Sequence, residues 1–258
     1  MNQKVFLKPD KDRTTILRIL YLTGFIVMLG IGIITPVLPV YAHIMGATGL
    51  GVGVIFSAFT LSRTLCMPYF GKKSDHYGRR IFILVGLAGY SLFSYLYIFA
   101  DSVLSLTIIR FIHGVFSAMV FPITVAYVAD MTIQGEEGKS MGKFQSFAFL
   151  GMSCGPLLGG VLVEQFNSDS AFLSLAGLSV LAFILCLFFL PDYKIPAKSS
   201  KPILSLLFHP SLKVPVIGFL LYSAVFSVFV VFLPLLGHSI QLDYSDISLL
   251  IFGASITM

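Results

Sequence analysis

The chain has 258 residues, 57% of them hydrophobic and only 11% charged, against roughly 25% charged in an average soluble domain. This balance excludes an ordinary soluble enzyme or binding module, and several uncharged stretches exceed the ~20 residues that carry a helix across a bilayer. The net charge of +5 excludes less than it suggests, because the basic residues follow membrane topology and leave no nucleic-acid footprint.

The polar start, Met1 to Arg13, leads into an apolar run long enough to span, so a cleavable signal peptide is not expected. Hydropathy predicts membrane helices over 15–41, 50–70, 81–100, 103–130, 143–165, 170–191 and 213–237, with an eighth starting near 245. These segments are continuously apolar, unlike the short alternating strands of a β-barrel, so the expected class is an all-α polytopic membrane protein. Fifteen of the seventeen Lys and Arg residues then fall on one side: in the N-terminus, between helices 2 and 3, between helices 4 and 5, and between helices 6 and 7. The opposite loops carry Asp101, Glu164, Asp169, Asp243 and Asp246 and no Lys or Arg. The positive-inside rule places the N-terminus in the cytoplasm, with the protein in the inner (plasma) membrane.

Helix 1 carries Leu29-Gly30-x5-Pro36-x2-Pro39 and no acidic residue. After helix 2 comes Gly71-Lys-Lys-Ser-Asp75-x2-Gly78-Arg79-Arg80. Its glycines permit a tight reversal, and Asp75 can cap or meet the positive end of a helix. Arg79 or Arg80 can pair with a carboxylate at a neighbouring helix end, and Asp130, closing helix 4, is the candidate. Such a cluster can latch one conformation and break in another; an ordinary basic turn is the plainer alternative. Arg63, in helix 2, is expected to snorkel toward the cytoplasmic interface.

Helix 4 reads Arg110-Phe-Ile-His113-Gly114-x2-Ser117-Ala118. A charge this deep is costly and normally faces a polar cavity or a partner, and His113, Gly114 and Ser117 share its face. Satisfaction of Arg110 by backbone carbonyls remains the alternative. Helix 5 carries Gly142-x8-Gly151-x3-Gly155-Pro156-x2-Gly159-Gly160. Small residues four apart admit a neighbouring backbone closely, and Pro156 removes a helical hydrogen bond and kinks the helix. This suits an interface that slides or rocks, or, more simply, a tightly packed helix pair.

Two motif-like strings carry no chemistry. Gly151-Met-Ser153-Cys-Gly155 matches a hydrolase nucleophile pattern that needs a strand–turn–helix elbow, and here it sits mid-helix. Gly135-Glu-Glu-Gly138-Lys139-Ser140 lacks the opening glycine and the preceding strand of a phosphate loop. Cys66, Cys154 and Cys186 fit neither a zinc site nor a disulfide framework. No metal site and no cofactor are expected, and the chain reads as a non-enzyme.

The stretch 192–212 is rich in Lys and Pro and reads as a cytoplasmic linker, with Ile203 to Phe208 as a candidate surface helix. Beyond it the pattern restarts. Pro39-x3-His43 is echoed by Pro234-x3-His238, and Ile55-Phe-Ser-Ala58 by Ile251-Phe-Gly-Ala254. Parallel repeats of this kind mark transporters built from two six-helix halves. The predicted organisation is a cytoplasmic N-terminus (1–14), a six-helix half (15–191), the linker (192–212) and the start of a second half (213–258). By that repeat Met258 falls early in helix 8, and the chain is expected to be a fragment.

These four motifs, in this order, resemble those of the major facilitator superfamily, in its drug:proton antiporter group. Gly30, Pro36 and Pro39 resemble its helix 1 signature, Gly71 to Arg80 its helix 2–3 signature, Arg110 to Ala118 its helix 4 signature, and Gly142 to Gly160 its helix 5 antiporter signature. The resemblance implies the major facilitator fold: an N-terminal six-helix half, helix 7 and the start of helix 8. It implies alternating-access efflux of small amphipathic compounds in exchange for protons, by a protein monomeric when full length. Arg110, with His113 and Ser117, would line a proton and substrate cavity. Gly71, Asp75, Gly78, Arg79, Arg80 and Asp130 would form the cytoplasmic latch, and Gly151 to Gly160 the interface between halves. Two departures are evident: Gly138 follows the acid pair where the family often has arginine, and helix 1 lacks the carboxylate that many proton-coupled members carry. A metabolite or sugar facilitator of the same fold, and a non-transporting truncated protein, are the alternatives.

Overall fold

The structure, a computed structural model, describes residues 10–191 and 213–256. The N-terminal Lys4 and Lys8 and the linker at 192–212, with its candidate surface helix, lie outside the described residues. Eight α-helices follow one another among the described residues: α1 (Asp10–Ile44), α2 (Gly49–Tyr77), α3 (Arg79–Leu96), α4 (Val103–Met131), α5 (Glu137–Gln165), α6 (Ser168–Phe189), α7 (Lys213–Ser239) and α8 (Tyr244–Ile256). A single 3₁₀ turn, Tyr97–Phe99, extends α3. Seven of these helices are long and apolar enough to cross a membrane, and Tyr244–Gly253 is a shorter apolar helix.

Polar residues at the turns start the helices. Thr48 accepts from Gly51 N at 3.2 Å, Ser102 and Ser105 form a reciprocal capping box on α4, and Asn167 accepts from Ser170 N at 3.0 Å, each satisfying a backbone N–H that the first turn leaves unpaired. Helices α1, α2 and α5 outrun the apolar segments that predict them. α2 continues past 70 to Tyr77, and α5 begins at Glu137 and not at 143. Hydropathy finds only the hydrocarbon-spanning part, whereas the backbone hydrogen bonds continue into polar ends. Lys72, Lys73, Lys139 and Lys143 therefore stand on helix ends and not in loops.

α1 is the central element. It packs most extensively on α5, also on α6 and α4, and touches α7 and α8. α2 lies on α4, and α3 lies on α4 and α6. One apolar cluster gathers around Leu20, Ile83, Tyr127 and Phe144, and a second around Ile55, Tyr90, Tyr97 and Phe172. In a bilayer such burial gains little over lipid contact, so close packing and interhelical hydrogen bonds must hold the bundle. Ser91 Oγ donates to the Ala176 carbonyl across α3 and α6 at 3.0 Å, and Arg13 Nε donates to Met131 O across α1 and α4 at 2.5 Å. Phe149 and Phe188, both exposed, face outward as lipid-contacting residues do.

Candidate functional site

The first cluster lies where the ends of α2 and α4 meet the start of α3. Arg79 donates from Nε to Asp130 Oδ2 at 2.9 Å, its other nitrogen lies 2.6 Å from Asp75 Oδ1, and the same nitrogen donates to Ser74 Oγ at 2.7 Å. Ser74 Oγ in turn donates to the Gly71 carbonyl at 2.7 Å. Both carboxylates sit in the last turn of their helices, where the helix dipole disfavours negative charge. Arg79 supplies the compensating cation to both. Arg80 goes elsewhere and donates to the Leu187 carbonyl of α6 at 2.6 Å.

Two expectations for this segment are corrected. Gly71 is an ordinary residue inside α2 and makes no reversal; the turn is made by Gly78 alone, at φ 101°. Asp75 does not cap α3, whose N-cap is Gly78 with no side-chain bond, because the arginine one turn onward captures its carboxylate. Ser74 was invisible in the sequence, since a serine between lysine and aspartate carries no distinguishing signal.

The second cluster is in the membrane interior, between α2, α3 and α4. Arg110, His113 and Ser117 do share one face of α4, but all three are buried, Arg110 at 8% exposure. Aromatic rings pack around Arg110 and His113. The Arg110 guanidinium stands 5.1 Å from the ring centre of Phe56, 4.9 Å from Phe59 and 5.8 Å from Tyr97. Its charge is met by ring faces. His113 Nδ1 is hydrogen bonded to the Tyr97 hydroxyl at 2.7 Å, and its ring lies 3.9 Å, centre to centre, from Tyr90. Nε of Arg110, Nε of Arg63 and Nε2 of His113 are buried without a hydrogen-bond partner. Arg63 is partly buried on α2. Gly114 makes this close approach possible: a Cβ there would strike Ser62 Oγ and the Phe59 carbonyl. Phe56, Phe59, Tyr90 and Tyr97 were missed by sequence reasoning, because 25 Phe and 11 Tyr give no contrast.

The third feature is a seam of backbone contact between α1 and α5. A Cβ at Gly155 would stand 2.5 Å from Gly32 Cα and 2.6 Å from the Leu29 carbonyl. One at Gly151 would meet the Phe25 carbonyl, and one at Gly159 the Ile33 carbonyl. The Met152 carbonyl, whose helical donor is the N–H that Pro156 lacks, faces Gly32, where a Cβ would lie 2.8 Å from it. Gly32 was another residue not singled out in sequence. In this chain the stripe at 151, 155 and 159 packs on α1. Gly160 meets the later segment, where a Cβ would stand 2.8 Å from the Tyr244 carbonyl of α8, and α5 packs on α8 as well as on α1. Gly142 faces open space, and α5 runs unbroken through Pro156, as α1 does through the buried Pro36 and Pro39. Gly30 packs on α6, where a Cβ would strike Leu175.

The family model described as Major Facilitator Superfamily matches residues 20–258. The chain belongs to the Major Facilitator Superfamily. As a member of this superfamily it is 36% identical over 174 residues to an uncharacterized MFS-type transporter, MJ1560, of Methanocaldococcus jannaschii, which covers 67% of this chain and 45% of that protein. It is 31% identical over 176 residues to the quinolone resistance protein NorA of Staphylococcus aureus, covering 68% of this chain and 45% of NorA. The chain spans about half the length of these curated relatives. Two solved structures share the fold. The human organic anion transporter MFSD10 superposes with a TM-score of 0.71 at 20% identity, covering 97% of this chain and 71% of that one. A bacterial homologue of the human lysosomal transporter Spinster gives 0.74 at 14% identity, covering 93% and 59%. The all-helical major facilitator fold and a multi-pass membrane protein follow directly.

Proposed function

We propose that this superfamily member works as a secondary transporter by alternating access, moving small amphipathic compounds out of the cell in exchange for protons. The observation that carries the reading is the Arg110–His113–Tyr97 unit. It puts a fixed cation and a titratable imidazole with an unbonded nitrogen inside a membrane span, where such groups mark ion and substrate pathways. In this reading Arg110 supplies the fixed charge that substrate or proton must answer, with the His113–Tyr97 hydrogen bond beside it. Asp75, Arg79 and Asp130 form a latch at the cytoplasmic end, and the protein sits in the plasma membrane as a monomer with its N-terminus inside. The likeness to NorA, whose description is quinolone resistance, supports drug-like cargo.

The test is proton flux in proteoliposomes with a pH-sensitive dye inside. Substrate-triggered proton movement that disappears in Arg110→Ala, with membrane insertion intact, is the expected result. A facilitator of the same fold is the second reading, favoured by one observation: among the described membrane helices every Asp and Glu lies within a few residues of a helix end. Substrate movement without proton flux would establish it and refute antiport.

A further inference from the structure

The proposed transport reading leaves the charge of the cargo open, and two features bear on it. The first is a cleft of about 380 Å³ between the start of α1 and the α4–α5 turn, within the range of small-molecule pockets. Among the described residues, Arg13, Arg18, Lys139 and Lys143 line it with a single acid, Glu136. That acid is already engaged by Lys139 Nζ at 3.5 Å. The neighbouring Glu137 turns away to accept from Gly135 N at 2.8 Å. Tyr21 also lines the cleft and stacks on the half-exposed Phe147 at 6.0 Å between ring centres. The cleft therefore presents cations around an aromatic wall.

The second feature is the membrane interior. Arg63 and Arg110 stand within the described membrane helices, both positive, and no carboxylate of those helices stands away from a helix end to offset them. At the low effective dielectric of such a site, a cation entering would meet like charge, which costs far more than in water. An anion would meet favourable potential at the cleft and again in the interior.

We infer that the cargo is an amphipathic organic anion, an aromatic or aliphatic body bearing a carboxylate, sulfonate or phosphate, and that the cleft of Arg18 and Lys143 is where it is first held. This rests on the transport reading and narrows it. Arg13, tied to the Met131 carbonyl, shapes the cleft, while Arg18 and Lys143 supply exposed charge from facing helices.

Two permanently charged fluorescent probes with the same naphthyl body, one ending in sulfonate and one in trimethylammonium, test it. Binding is measured with the protein in nanodiscs of zwitterionic lipid, and transport in proteoliposomes. The sulfonate is expected to bind and move in preference to the ammonium probe. Binding should weaken about ten-fold in Arg18→Gln/Lys143→Gln, hold in Arg18→Lys/Lys143→Arg, and fall as salt rises. Preferential movement of the ammonium probe would overturn the charge assignment and leave the transport reading standing. Equal sulfonate binding by wild type and the double Gln variant would overturn the cleft as the capture site. Movement of neither probe would overturn the transport reading and the inference with it.

Discussion

Arg79 holds oxygen atoms from two helices with one guanidinium, and no other side chain fits that geometry. Lysine keeps the charge but cannot present the planar fork. Arg79→Lys should therefore destabilise the protein by about 1.5–3 kcal/mol, the scale of hydrogen bonds to charged groups, and Asp130→Asn by a similar amount. Thermal denaturation in detergent reads this, and an unchanged midpoint in both would show the network to be dispensable. The Asp130 partnership was legible in sequence, because a carboxylate closing one helix faces a basic turn two helices away only in a bundle. The choice of Arg79 over Arg80 was not, since adjacent arginines differ by about 100° on a helix and the sequence does not give the rotation. Arg110→Lys carries a second expectation at this scale. The guanidinium stacks on Phe56, Phe59 and Tyr97, and an ammonium in the same place loses that planar overlap. Transport should fall at least about ten-fold with membrane insertion intact; wild-type uptake kinetics would count against a central role.

The glycines of α5 divide by face, and their substitutions should divide the same way. At Gly155 the nearest atoms are the α1 backbone, which cannot move aside as a side chain can. Gly155→Ala should cost about 1–3 kcal/mol, the usual range for overpacking, and Gly155→Leu should prevent transport. Gly142 faces open space in regular helix, so Gly142→Ala should be neutral or stabilise by about 0.4–1 kcal/mol. The same denaturation measurement compares them, and equal effects would show that the α1–α5 seam is not a backbone contact. The spacing of small residues announced a close approach. It could not announce α1 as the partner, because a stripe of glycines records distance and not identity. The apolar lengths located the helices for a similar reason: the bilayer imposes them. The polar extensions of α2 and α5 escaped because nothing outside the hydrocarbon enforces a hydropathy signal.

At the scale of the molecule, α5 carries two faces with different duties. One is locked to α1 through Gly151, Gly155 and Gly159; the other meets α8 at Gly160, beside the buried and unpartnered Ser248 Oγ. Under the alternating-access proposal the first face stays together while the second changes. Gly160→Ala should then alter transport rate more than thermal stability, and Gly155→Ala the reverse. Equal stability losses would remove that distinction.

The restarted Pro-x3-His pattern has a physical counterpart. His43 at the end of α1 and His238 at the end of α7 lie with ring centres 6.5 Å apart, and the His43 Nδ1 is held by the Ala47 carbonyl at 3.2 Å. These two exposed positions come from opposite sides of the linker, so their separation measures how far α1 and α7 are parted at this rim. Spin labels at His43→Cys and His238→Cys make the pair a ruler, read by dipolar spectroscopy without knowledge of any cargo. Alternating access requires a short and a long distance whose proportions change with conditions, and a single short distance throughout would describe a rim that never opens.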